Sequence, residues 1–153
     1  MDAPRTVFTF RSSRFRHELH GEPYLHPGCF GEDAARWLAD ALRAHGVETD
    51  AEPEPADFGW YFGLRLGEVD CEVVIGWRPG AHAEEGSWVG WIERRANLLL
   101  AVLGARHRGV PPEAVAALHA ALAAAPHVRG LRWHARRELA DGRRDGAEAP
   151  ASA

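Results

Sequence analysis

The chain of 153 residues sets 18 basic side chains against 22 acidic ones, a formal net charge of −4, so its overall charge exerts no pull toward nucleic acid or an anionic membrane. Every basic residue is arginine, which excludes a lysine Schiff base and a P-loop lysine. The two cysteines, Cys29 and Cys71, make no disulfide framework, and no stretch has the pattern of a secretory leader or the length of a membrane span, so a reducing cytoplasm is the expected compartment.

In chain order, residues 6–11 alternate as a strand with Phe8 and Phe10 inward. A turn-rich stretch follows, holding His17, His20, His26 and Cys29. Residues 31–46 then predict a helix. Glu32 and Asp33 stand in the first turn where the helix dipole favours acids, Ala34, Leu38, Ala41, Leu42 and His45 recur at helical spacing, Trp37 widens the stripe, and Gly46 ends it. Residues 48–57 are acidic and contain Pro53 and Pro55, which suit an irregular connector.

The clearest signal is the stretch 57–78, two alternating strands joined at Gly67-Glu68. Gly at the first central position of a two-residue loop favours a type II′ turn. That register sets Leu66 opposite Val69, Leu64 opposite Cys71, Phe62 opposite Val73, Trp60 opposite Ile75 and Phe58 opposite Trp77. On the other face it sets Arg65 opposite Asp70, Asp57 opposite Arg78, Tyr61 opposite Val74 and Gly59 opposite Gly76. A one-residue slip would turn the apolar row toward water, so the register is strongly specified.

Residues 87–95 predict a third strand, with Val89 and Trp91 inward. The apolar run 98–103 between arginines reads as core, or as an exposed dimer or membrane contact. Pro111 and Pro112 open a second helix with Val115, Leu118 and Leu122 on one side, closed by Pro126. A last strand over 130–136 places Leu131 and Trp133 inward. The order strand, helix, three strands, helix, strand predicts an α+β two-layer sandwich, a mostly antiparallel sheet with both helices on one face. Residues 1–140 form the single domain and 141–153 a disordered tail.

The motifs GED-x-AxWL at 31–38, DFGW at 57–60 and LRW at 131–133 resemble a family of small bacterial proteins of uncharacterised activity. The resemblance implies a single domain and contributes no catalytic residue.

Two candidate sites emerge. On the face of the hairpin away from the core, Gly59, Gly63 and Gly76 come together with Tyr61, Arg65, Asp70 and Glu72 around them. Glycine inside strands marks close approach of a backbone or ligand, so this surface is expected either to receive a protein partner or to lie under the protein's own chain. Leu99 and Leu103 in the apolar run are candidates for the same role, a protein partner or a homodimer. The second site is metal-binding: His17, His20, His26 and Cys29 have the donor chemistry of a tetrahedral zinc site, although their spacing matches no standard finger and ordinary surface histidines are the competing reading. Cys29 with His26 is the only nucleophile and base pair of note, and Arg129, Arg132, Arg136, Arg137, Arg143 and Arg144 cluster without any nucleic-acid-binding motif. The function expected is protein interaction without catalysis; the alternative is metal or small-ligand binding by the histidine loop.

Overall fold

A computed structural model describes residues 5–15, 31–56, 59–78, 86–95, 109–136 and 146–150. Among these residues seven strands form one antiparallel sheet: β1 (Arg5–Ser12), β2 (Glu48–Thr49), β3 (Glu54–Ala56), β4 (Gly59–Leu66), β5 (Val69–Arg78), β6 (Gly86–Arg94) and β7 (Arg129–Ala135). The helices among the described residues are α1 (Glu32–Ala44) and α2 (Pro112–Ala124). The sheet runs β2-β4-β5-β6-β1-β7, with β3 also pairing β4, so two short strands share the outer edge of β4. The fold is the α+β two-layer sandwich that the pattern predicts.

The β4–β5 hairpin has the expected register from Leu66 opposite Val69 to Trp60 opposite Ile75. Gly67 has φ +59° while Glu68 keeps a negative φ, the sign pattern of a type II′ turn. Phe58 and Asp57 lie outside the described residues. The inward row, Trp60, Phe62 and Leu64 on β4 with Cys71, Val73 and Ile75 on β5, belongs to one buried cluster with Ala34, Leu38 and Leu42 of α1 and Val115, Leu118 and Leu122 of α2. Alternation at period two and helical spacing therefore meet in a single core.

Both helices follow their sequence signals. The Asp33 carboxylate accepts a hydrogen bond from the Ala34 N–H at 2.9 Å in the first turn of α1. The helix closes through Val47 N–H to the Leu42 carbonyl at 3.0 Å, with Gly46 at φ +84° between them, the left-handed residue such a closure requires. Arg36 ties α1 to the β2–β3 connector by pairing with Glu32 and with Glu52, at 3.2 and 2.5 Å. Pro112 starts α2, where its missing N–H leaves no bond unmade.

Two expectations are corrected. Trp88 and Ile92, not Val89 and Trp91, face the core of β6, and both are fully buried. The reason lies on the neighbouring strand: Phe8 pairs with Gly90, and a Cβ on Gly90 would stand 2.3 Å from Phe8 Cζ. The Phe8 ring fills the space over that glycine, which fixes the even-numbered positions of β6 inward. The acidic connector, expected to be irregular, supplies β2 and β3. Glu48 pairs with Arg65 and Glu54 with Tyr61, and Pro55 is tolerated because β3 is an edge strand.

At the other edge of the sheet, the β1–β7 register shifts between Thr9 and Arg11, where Gly130 has φ +63°. This bulge brings Arg129 opposite Arg11 and Arg132 opposite Thr9. Within the stretch read as a tail, Ala147 exchanges two backbone hydrogen bonds with Trp133, of 2.7 and 2.8 Å. No helix among the described residues is long and apolar enough to cross a membrane.

Candidate functional site

Alternation along β4 and β5 puts Gly59, Tyr61, Gly63 and Arg65, with Asp70, Glu72 and Gly76, on the side of the sheet opposite α1 and α2. The register joins Tyr61 to Val74, Gly63 to Glu72 and Arg65 to Asp70. It continues onto β6, where Glu72 lies directly opposite Glu93 and Val74 opposite Trp91. These seven hairpin residues thus share one face. Leu99, Leu103, His17, His20, His26 and Cys29 lie outside the described residues.

The glycines have separate physical reasons. A Cβ on Gly59 would lie 2.2 Å from the Ile75 carbonyl oxygen and 2.8 Å from Gly76 Cα, so this position lets β4 and β5 approach. Gly63 answers to a side chain: its N–H donates to Asp50 Oδ2 at 2.9 Å, while the Asp50 N–H donates to the Gly63 carbonyl at 2.9 Å. A Cβ on Gly63 would stand 2.7 Å from that same carboxylate oxygen. The β2–β3 connector is pinned to the middle of β4 by this double link, and the chain itself covers the glycine.

Around it the charges are ordered. Arg95 Nε donates to Glu72 Oε1 at 3.0 Å, and its Nη2 stands 3.8 Å from Asp50 Oδ2. Hydrogen bonding to Glu72 is the first cause, ahead of the opposing effect of burial, that holds the Arg95 pKa above its ordinary value. Arg65 Nε lies 3.5 Å from Asp70 Oδ1, and the Tyr61 hydroxyl donates to Glu54 Oε2 at 2.5 Å, a bond that raises the phenol pKa. Between these side chains lies a cleft of about 150 Å³ lined by Glu48, Thr49, Asp50, Gly63, Leu64, Arg65, Asp70 and Arg95. Asp50 and Glu72 thus stand against Arg95 and Asp70 against Arg65, with Glu48 paired across the strands from Arg65.

Asp50, Arg95, Trp91 and Glu93 are site residues that sequence reasoning missed. Asp50 sits in what reads as an irregular acidic connector, Arg95 at the end of the predicted third strand, and Trp91 and Glu93 on a strand whose facing was reversed. The signal that could have found Asp50 was Gly63 itself, a glycine inside a strand with an acid-rich segment available to reach it.

Cys71, on the core face, is a free buried thiol whose pKa burial pushes up to about 11, which makes it a packing group and not a nucleophile. Among the described residues, no group of three or more histidine, cysteine, aspartate or glutamate side chains is arranged to hold a metal ion. Comparison with protein-family models, with curated proteins and with solved structures finds no match for this chain.

Proposed function

We propose that the chain is a cytoplasmic protein-interaction domain, and that the sheet face opposite α1 and α2, around Glu72 and Glu93, receives a basic segment of a partner protein. The observation that carries this reading is the direct opposition of Glu72 and Glu93 across β5 and β6. Together with the half-exposed Asp50 and Asp70 they give this face an acidic character, which a basic segment matches by charge complementarity. Tyr61 and Trp91, both partly exposed, supply the aromatic surface over which such cations pack.

The test is a calorimetric titration of the full chain with a synthetic arginine-rich peptide at low and physiological salt. Glu72→Gln and Glu93→Gln should each weaken binding by a few-fold, and Glu113→Gln, an exposed acid on α2, should leave it unchanged. Equal binding by all four proteins would mean nonspecific attraction to an acidic chain and would refute the reading. Self-association lost on Glu72→Arg would make a second copy the occupant, and would likewise displace the basic partner.

A further inference from the structure

The opposite edge of the sheet carries a second surface of different chemistry. β7 is the last strand, and its outer side is paired at one position only among the described residues, Trp133 with Ala147. Extending that antiparallel register by one residue sets Glu148 opposite Arg132, and the two side chains do meet, at 3.4 Å. One further step would set residue 149 opposite Leu131, but Ala149 is exposed and the ladder stops. Beside the unfilled position is a cleft of about 320 Å³ between α2 and β7, lined by His119, Leu122, Ala123, Val128 and Leu131 among others. That volume is at the low end of the roughly 300 to 1,000 Å³ of ligand clefts. In an antiparallel pair, side chains directly opposite point to the same face. A residue opposite Leu131 therefore points into this cleft, and the methyl group of Ala149 is too small to fill it.

We propose that the β7 edge is a strand-addition site for an extended acidic peptide, with a carboxylate opposite Arg132 followed immediately by a large apolar residue opposite Leu131. The occupant is specified by charge: at this register Arg132 already meets the carboxylate of Glu148, so an acidic residue is favoured there and an arginine of a second β7 edge is not. Main-chain bonds provide attachment and the cleft provides selectivity, the usual division in strand addition. The chain's own Gly146–Glu148 segment occupies the entrance in the same manner, with the acid in place and the apolar residue missing. It acts as a weak internal competitor that a better peptide displaces.

The experiment uses the full chain and two synthetic peptides, DGAEAPASA, copied from residues 145–153, and the same peptide with its Ala149→Leu change. The leucine peptide should bind about tenfold more tightly, from the added apolar burial. Ala147→Pro in the protein removes the N–H that bonds to Trp133, frees the edge and should raise affinity several-fold. Arg132→Glu should lower it about fivefold, the scale of an exposed ion pair, and Ala123→Trp, on the exposed side of α2, should abolish the preference for leucine by filling the cleft. Absence of binding by the leucine peptide, or binding indifferent to Ala147→Pro and to Ala123→Trp, would overturn the proposal. Circular dichroism of each variant confirms that the fold is kept.

Discussion

His127 joins three elements and shows how a single side chain becomes a pH-sensitive point in the packing. Its Nδ1 lies 3.1 Å from Ser12 Oγ at the end of β1. Its ring packs edge-on against Trp37 of α1 at 4.8 Å and against Phe15 at 5.4 Å. Nε2 is buried with no hydrogen-bond partner, so a second proton has nowhere good to go. Burial first, and then the charge of Arg14, lower the histidine pKa below its ordinary value of 6.5. The unfolded chain therefore takes up this proton more readily than the folded one. Stability is complete above about pH 6.5 and falls as pH drops toward the folded-state pKa. Urea unfolding midpoints at pH 7.5 and 5.5 should show this loss, and His127→Gln should reduce it; an unchanged pH dependence in that variant would remove His127 as the cause. Nothing in the sequence marked this histidine, because its environment is made by residues 12, 15 and 37, far away along the chain.

The elements that could be read from the sequence were those whose pattern is set by near neighbours. The hairpin register followed from a two-residue turn and an unbroken alternation, and it is found as expected over the described pairs. β6 was misread because two tryptophans, Trp88 and Trp91, fall on opposite faces and hydrophobicity alone does not choose between them. The choice was made by Gly90 under the Phe8 ring, a contact between strands distant in sequence. Likewise β2 and β3 exist because β4 offers them an edge and Asp50 bonds Gly63; their own residues have poor strand propensity. The two tryptophans should separate in stability measurements. Trp88→Ala should cost about 3 to 5 kcal/mol, since Trp88 is fully buried and its Nε1–H reaches the Ser12 carbonyl at 3.4 Å. Trp91→Ala, on the partly exposed face, should cost less than about 2 kcal/mol. Chemical denaturation of both variants decides it, and equal losses would contradict the facing described.

At the scale of the whole molecule, charge is divided across the sheet face opposite α1 and α2. Carboxylates gather on the β2–β5 side, joined by Glu93, while Arg11, Arg129 and Arg132 lie along β1 and β7. The site candidates Gly59, Tyr61, Gly63, Arg65, Glu72 and Gly76 were legible because a period of two assigns a face to every residue of a strand. The packing of Asp50 and Arg95 onto that face was not, since it depends on the path of chain outside the hairpin. The two surfaces suit complementary partners, a basic segment at the β4–β6 face and an acidic strand at the β7 edge. Amide chemical-shift mapping of the isotope-labelled chain, titrated with the arginine-rich peptide, tests the first. Shifts should concentrate at Tyr61, Gly63, Glu72 and Glu93, with α2 unmoved; shifts confined to other surfaces, or none at saturating peptide, would contradict a basic partner at this face.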